Sequence, residues 1–130
     1  MRTSLQCLRD DHLNQRSNRL TELATTPAPP YYAVIFTSLR TDDEQGYGLT
    51  AERMMELAAQ QPGFLGVDAA RDGDGVGITV SYWQDLESIA NWRKHGEHTA
   101  ARNAGRQRWY RCFRLRVAKV ERASDWEADR

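Results

Sequence analysis

The chain has 130 residues, with 18 Lys plus Arg against 18 Asp plus Glu, so its formal charge is zero. That length points to one domain, and a pI near 6.8 removes the basic field on which nucleic-acid or anionic-membrane binding depends. No apolar run approaches the ~18–20 residues of a membrane span, and two cysteines, Cys7 and Cys112, make no disulfide framework. The expectation is a cytoplasmic protein without nucleic-acid or membrane partners. The N-terminus carries Arg9, Asp10, Asp11 and His12 where a secretory signal would be apolar.

Residues 1–29 read as an N-terminal extension and linker. Leu5, Leu8, Leu13, Leu20 and Leu23 hint at a weak helix. The run Thr25-Thr26-Pro27-Ala28-Pro29-Pro30 then enforces an extended connector. A globular unit is expected over 30–123, followed by a polar tail over 124–130. Tyr31 to Leu39 is aromatic and β-branched on both alternating faces, so it predicts a strand buried from two sides. After an acidic, glycine-containing loop, Ala51, Met54, Met55 and Ala58 predict a helix over roughly Thr50 to Gln60, stopped by Pro62-Gly63. Phe64 to Asp72 and Gly77 to Trp83 predict two strands. The Asp72-Gly73-Asp74-Gly75 turn between them reads as a hairpin and not as a calcium loop, since the later bidentate Glu is missing.

Asp85 is a natural N-cap for a second helix, with Leu86, Ile89, Ala90 and Arg93 along one side and Trp92 beside that stripe. Gly96 predicts a break, and a further helical piece runs to about Asn103. A long last strand spans about Gln107 to Arg122. Its apolar parity changes between Val117 and Ala118, which predicts a bulge there. The order βαββαβ is the α+β ferredoxin-like unit with a four-stranded antiparallel sheet. Two helices cover only one face of such a sheet. The apolar second face therefore predicts a homodimer with sheets packed face to face; a monomer whose open face grips a ligand is the alternative.

Pro30 to Ser38, Gly46-Tyr47-Gly48, Ala58 to Gly66, Gly77 to Trp83, Ile89 to Trp92 and Trp109-Tyr110 together resemble the antibiotic biosynthesis monooxygenase family over about residues 30–122. The resemblance implies a dimeric α+β barrel. It also implies oxygenation of a small aromatic, polyketide- or quinone-like metabolite by molecular oxygen, with no flavin, haem or metal cofactor. Related members degrade haem with a strand-one Asn, a Trp on the second helix and a His further on. Trp92 matches that Trp, but Thr37 or Ser38 and Arg102 stand at the other two positions, so haem degradation is disfavoured.

Cofactor-free oxygen chemistry needs a dry pocket, a base, and donors that hold the substrate as an anion. His95 and His98 titrate near neutrality and, with Trp92, are the catalytic candidates. Phe36, Tyr82 and Trp83 supply aromatic wall, and Arg40 and Tyr47 could bind an oxyanion. Each has a plainer role: packing for Trp83, solvent-facing histidines, loop order for Arg40 and Tyr47. His95-Gly96-Glu97-His98 lacks zinc-protease spacing and a third ligand, so no metal is expected. Cys112 falls in a strand interior without a partner base. The arginines between Arg102 and Arg116 are expected at a sheet edge or dimer rim, paired with acids such as Glu121. The competing function is a non-catalytic dimeric small-molecule-binding or stress-associated module of the same fold.

Overall fold

The computed structural model describes residues 22–129. The weak helix suggested by Leu5 to Leu20, and Cys7, lie outside the described residues. Leu23 is exposed and non-helical. The elements follow as β1 (Tyr31–Arg40), α1 (Tyr47–Ala59), β2 (Phe64–Arg71), β3 (Val76–Trp83), α2 (Leu86–Lys94), α3 (Gly96–Ala104), a π-helical turn (Gly105–Trp109) and β4 (Tyr110–Val120). The strands make one antiparallel sheet in the order β2-β3-β1-β4, which is the ferredoxin-like arrangement.

Local chemistry explains most boundaries. In the β2–β3 turn the Asp72 carboxylate accepts from Asp74 N at 2.9 Å and Val76 N at 3.1 Å, closing an Asx turn. Asp85 caps α2 by accepting from Ser88 N at 2.8 Å and Ser88 Oγ at 2.7 Å; these bonds hold its carboxyl below the ordinary value. Gly63 has φ +87°, and a side chain there would collide with Ser88. A glycine is therefore required where the end of α1 meets the start of α2. His95 separates α2 from α3 with extended backbone, ψ 131°.

Four expectations shift. On α1 the buried pair is Leu57 and Ala58, with Met55 exposed. On α2, Ser88 is buried and Ile89 and Trp92 half-buried, whereas Leu86, Ala90 and Arg93 face solvent; Ser88 under Gly63 and Trp92 against Trp83 set that rotation. The last strand starts three residues later than predicted, because Gly105–Trp109 winds as a π turn. Its bulge lies at Arg111, where the register passes from Leu39↔Cys112 to Arg40↔Tyr110, and not at Val117–Ala118, where pairing is regular. Cys112 is exposed on the helix-free face.

The helices lie over one face of the sheet, as the stacking of Trp83 on Trp92 establishes. The opposite face carries Tyr31, Ile35, Leu39, Val76, Ile78, Val80 and Tyr82. One end of it is covered by the residues before β1. Ala24 N donates to Asp68 Oδ1 at 2.8 Å, and Thr26 Oγ1 donates to Tyr31 Oη at 2.8 Å. The connector is thus pinned at these points. The other end of that face is bare, with Val76 43% and Ile78 47% exposed.

Candidate active site

Strand register arranges the helix-side face in cross-strand rows, about 7 Å apart along each strand (two residues). The first row holds Trp83 beside Tyr32. The second holds Val67, Ser81, Val34 and Val117. The third holds Ala69, Thr79, Phe36 and Leu115, and the fourth Arg71, Gly77, Ser38 and Phe113. A sheet face packed directly under helices buries its side chains. Here Val34, Phe36, Val67 and Thr79 are only half-buried, and Leu115 and Val117 are 47% and 48% exposed. The two middle rows form an incompletely covered, largely apolar floor between two polar-tipped ends.

At the first end Trp83 is fully buried, edge-on to Phe64 and stacked on Trp92 at 6.4 Å between ring centroids. His98 stacks face to face on Trp92 at 4.2 Å and 8°, and His95 is tilted against the same indole at 5.5 Å. Sequence had suggested these four residues, and the break at His95 brings α3 back so that they meet. His98 Nδ1 lies 3.0 Å from the Trp92 carbonyl oxygen. A carbonyl only accepts, so Nδ1 carries the proton and Nε2 is left as the acceptor. Burial holds His98 below its ordinary pKa of 6.5, against the opposing pull of that bond, and the nearby Arg102 adds to the depression. The ring is neutral at neutral pH, the form a base requires. His95 Nδ1 is buried without a hydrogen-bond partner among the described residues.

At the far end Phe36 packs with Tyr110 and Phe113, and Tyr47 lies edge-on to Tyr110 and Trp109. Arg40 stacks over the Tyr47 ring at 3.5 Å, with two of its five donors engaged by the loop and the Glu44 carboxylate 3.8 Å from Nη2. Nε donates to Trp109 O at 3.0 Å and Nη2 to Asp43 O at 2.8 Å. Arg40 thus holds the loop after β1, and its guanidinium, largely buried and beside Glu44, is engaged within that loop. Trp109 closes the same loop by donating from Nε1 to Gln45 O at 3.1 Å, with Arg108 paired to Asp43 at 3.3 Å. The acid that meets this arginine stretch is Asp43; among the described residues Glu121 makes no ion pair. Burial, then the Tyr47 hydroxyl, pushes Tyr110 well above the ordinary tyrosine range.

Phe36, Arg40 and Tyr47 therefore form one cluster, and Trp83, Trp92, His95 and His98 another. Row spacing separates Trp83 from Phe36 by about 13 Å along the strands. Tyr82 joins neither. Its neighbour Trp83 points to the helices, so Tyr82 points the other way. There it meets Tyr31 and donates to Asp68 Oδ2 at 2.9 Å, with its hydroxyl pushed up to about 12 by burial and that carboxylate. A cleft of about 320 Å³ opens elsewhere, between α1 and α3 under the Arg53–Glu97 ion pair, lined by Leu49, Met54, Ala101 and Trp109. It contains neither Trp92, Phe36 nor a histidine. Sequence reasoning passed over Arg71, whose guanidinium reaches across β3 to Ser38 Oγ at 2.9 Å.

Residues 30–104 match the family model for antibiotic biosynthesis monooxygenase. The chain belongs to that family. A curated relative, the uncharacterized protein YqjZ of Bacillus subtilis (strain 168), is 58% identical over 100 residues, covering 77% of this chain and 88% of the relative. Among solved structures the fold is similar to that of SnoaB, a cofactor-independent oxygenase from Streptomyces nogalater. The TM-score is 0.63 at 12% identity, over 73% of this chain and 97% of SnoaB. Rv0793 from Mycobacterium tuberculosis superposes with TM-score 0.63 at 15% identity, over 72% and 99%. At those identities the two likenesses are of fold. The family match and the fold likeness assign no substrate. Among the described residues no helix is long and apolar enough to cross a membrane, and no three His, Cys, Asp or Glu side chains converge as metal ligands.

Proposed function

We propose that this family member is a cofactor-independent monooxygenase acting on a small planar aromatic metabolite bound on the half-covered floor between the two clusters. The observation that carries the reading is His98: a neutral imidazole, stacked on Trp92, whose Nδ1–H is engaged by the Trp92 carbonyl so that Nε2 is the acceptor nitrogen. In the reaction, His98 Nε2 takes a proton from an acidic C–H or O–H of an anthrone-like substrate. The resulting electron-rich anion reduces molecular oxygen, and a carbon–oxygen bond forms. Loss of water leaves the quinone, so one O2 is consumed per substrate and the second oxygen atom departs as water. Trp92, stacked on both Trp83 and His98, orients the histidine, and the largely apolar middle rows offer the substrate's ring a non-polar surface.

The bare Val76 and Ile78 patch, continuous with Ile35 and Leu39 on the helix-free face, supports a homodimer through that face. The test of function is oxygen uptake with a panel of anthrones and hydroxyquinones. Uptake above a protein-free control that falls at least ~100-fold in His98→Ala and less in His95→Ala supports the reading. Absence of uptake across the panel overturns it. The second reading, a dimeric binding module without turnover, is favoured by one observation: Phe36, Tyr110 and Phe113 fill the far end of the floor with their own rings. Saturable binding of the same compounds without oxygen uptake would decide for it.

A further inference from the structure

Gly77 is a buried glycine inside β3, flanked in register by Arg71 on β2 and Ser38 on β1. Its φ does not lie in the left-handed region, so the backbone there does not call for glycine. A glycine weakens a strand, and its presence marks a close approach. What approaches is the Arg71 side chain: a Cβ at residue 77 would collide with Cζ and both terminal nitrogens of the guanidinium. Arg71 thus lies flat on β3, with Nη2 donating to Ser38 Oγ at 2.9 Å and reaching Tyr47 Oη at 3.5 Å, and Nη1 donating to Gly75 O at 2.5 Å. Ser38 is itself buried.

The three acceptors are neutral, and they leave at least two of the five guanidinium N–H groups unused. Among the described residues no carboxylate makes an ion pair with Arg71. The adjacent Asp72 has turned its carboxylate to the backbone of the hairpin. A fixed cation therefore faces the row that holds Ala69, which is exposed, and Phe36, which is aromatic. Tyr47 adds a hydroxyl at the same place.

We propose that Arg71, laid over Gly77 and held by Ser38, is the anchor for an anionic oxygen, carboxylate or phenolate, on an aromatic ligand whose ring system lies along the floor toward Trp92. A planar guanidinium held in this way suits a two-oxygen or delocalised anion better than a flexible ammonium does. The inference rests on the floor being the ligand site, and it does not depend on oxygen being consumed there.

Calorimetric titration of the full chain with two matched pairs tests it: 2-naphthoate against 2-naphthamide, and 2-hydroxy-1,4-naphthoquinone against its 2-methoxy ether. The first pair reads carboxylate recognition and the second enolate or phenolate recognition. The wild type is expected to bind the anion of one pair at least about tenfold more tightly than its neutral partner. Arg71→Gln and Gly77→Ala should each abolish the preference, and Arg71→Lys should restore part of it. If Arg71→Gln does not fold, Gly77→Ala carries the test, since it keeps the arginine and lifts only its guanidinium. No binding of either anion, no preference in the wild type, or a preference that survives in both variants overturns the proposal. Anion preference without oxygen uptake sinks the oxygenase alone, and uptake without anion preference sinks the anchor alone.

Discussion

The two ends of the helix-side floor are built on opposite plans. At the β3 C-terminal end Trp83, Phe64, Trp92 and His98 are packed ring on ring, and the titratable group among them is held neutral by burial. At the other end two arginines are immobilised. Arg40 is fixed by backbone carbonyls and Arg71 by a serine hydroxyl and a glycine gap. A low-dielectric base at one end and a fixed positive charge at the other are complementary requirements for holding an aromatic anion. Burying the base keeps it unprotonated, and leaving Arg71 exposed at the rim avoids a costly desolvation of its charge. The contrast shows how one sheet face can be apolar in its middle rows and still present both kinds of polar group, each where its own solvation allows it.

Removing the packing at the closed end has the largest expected effect. Trp83 is fully buried, and its Nε1 donates to Ser81 Oγ at 2.9 Å. Trp83→Ala should cost about 3–5 kcal/mol of unfolding free energy, read as a lowered urea midpoint. If the variant folds, it should lose the fixed stacking of Trp92 and His98, visible in near-ultraviolet circular dichroism. A cost below about 1 kcal/mol would mean that this end is not the structural anchor of the site. At the far end a milder change isolates the hydrogen-bonded rim. Trp109→Phe keeps most of the ring contact with Tyr47 but deletes the bond from Nε1 to Gln45 O. It should cost about 1 kcal/mol and loosen the 41–45 loop, detectable as faster amide exchange there. An equal cost at both ends would erase the distinction between a packed anchor and a hydrogen-bonded rim.

Much of this was legible in the residues. The aromatic and β-branched run of β1, the Asp-Gly turn, the Asp85 cap and the break at Gly96 are local signals, and they placed the elements in a ferredoxin-like order. The clustering of Trp92, His95 and His98 was also legible, since all three flank one helix break. Other features depend on information that no single segment holds. A helix with several small or flexible apolar residues permits more than one buried stripe, and only Trp83 and Gly63 decide that Ser88 and Trp92 face inward on α2. The bulge at Arg111 follows from the π turn before β4, which no residue type announces. The pairing of Tyr82 with Trp83 as one wall was avoidable, because neighbours on a strand point to opposite faces. Arg71 was within reach as well. Counting back across the Asp72–Gly75 turn places it opposite Gly77, and a glycine facing an arginine in a hairpin is a signal of close approach. That Ser38 completes the cradle is a three-strand coincidence that only the folded register reveals.

The smallest expected effect concerns protonation at the closed end. His98 has its folded-state pKa depressed below 6.5 by burial first, with Arg102 adding to it. The unfolded chain therefore takes up this proton more readily than the folded one. The stabilisation tied to a neutral His98 is complete above pH 6.5 and is lost as pH falls through the lower folded value. Denaturation midpoints of wild type and His98→Gln at pH 8 and pH 5.5 isolate it. The wild type should lose more stability than the variant between these two conditions, because glutamine fills part of the ring's space without a titratable proton. The far end makes the control: Arg71→Gln leaves His98 and its surroundings untouched, so it should follow the wild-type pH dependence. If His98→Gln falls as steeply as the wild type, the acid-sensitive group is another one, and the neutral base on which the oxygenase reading depends is not where the stacked geometry puts it.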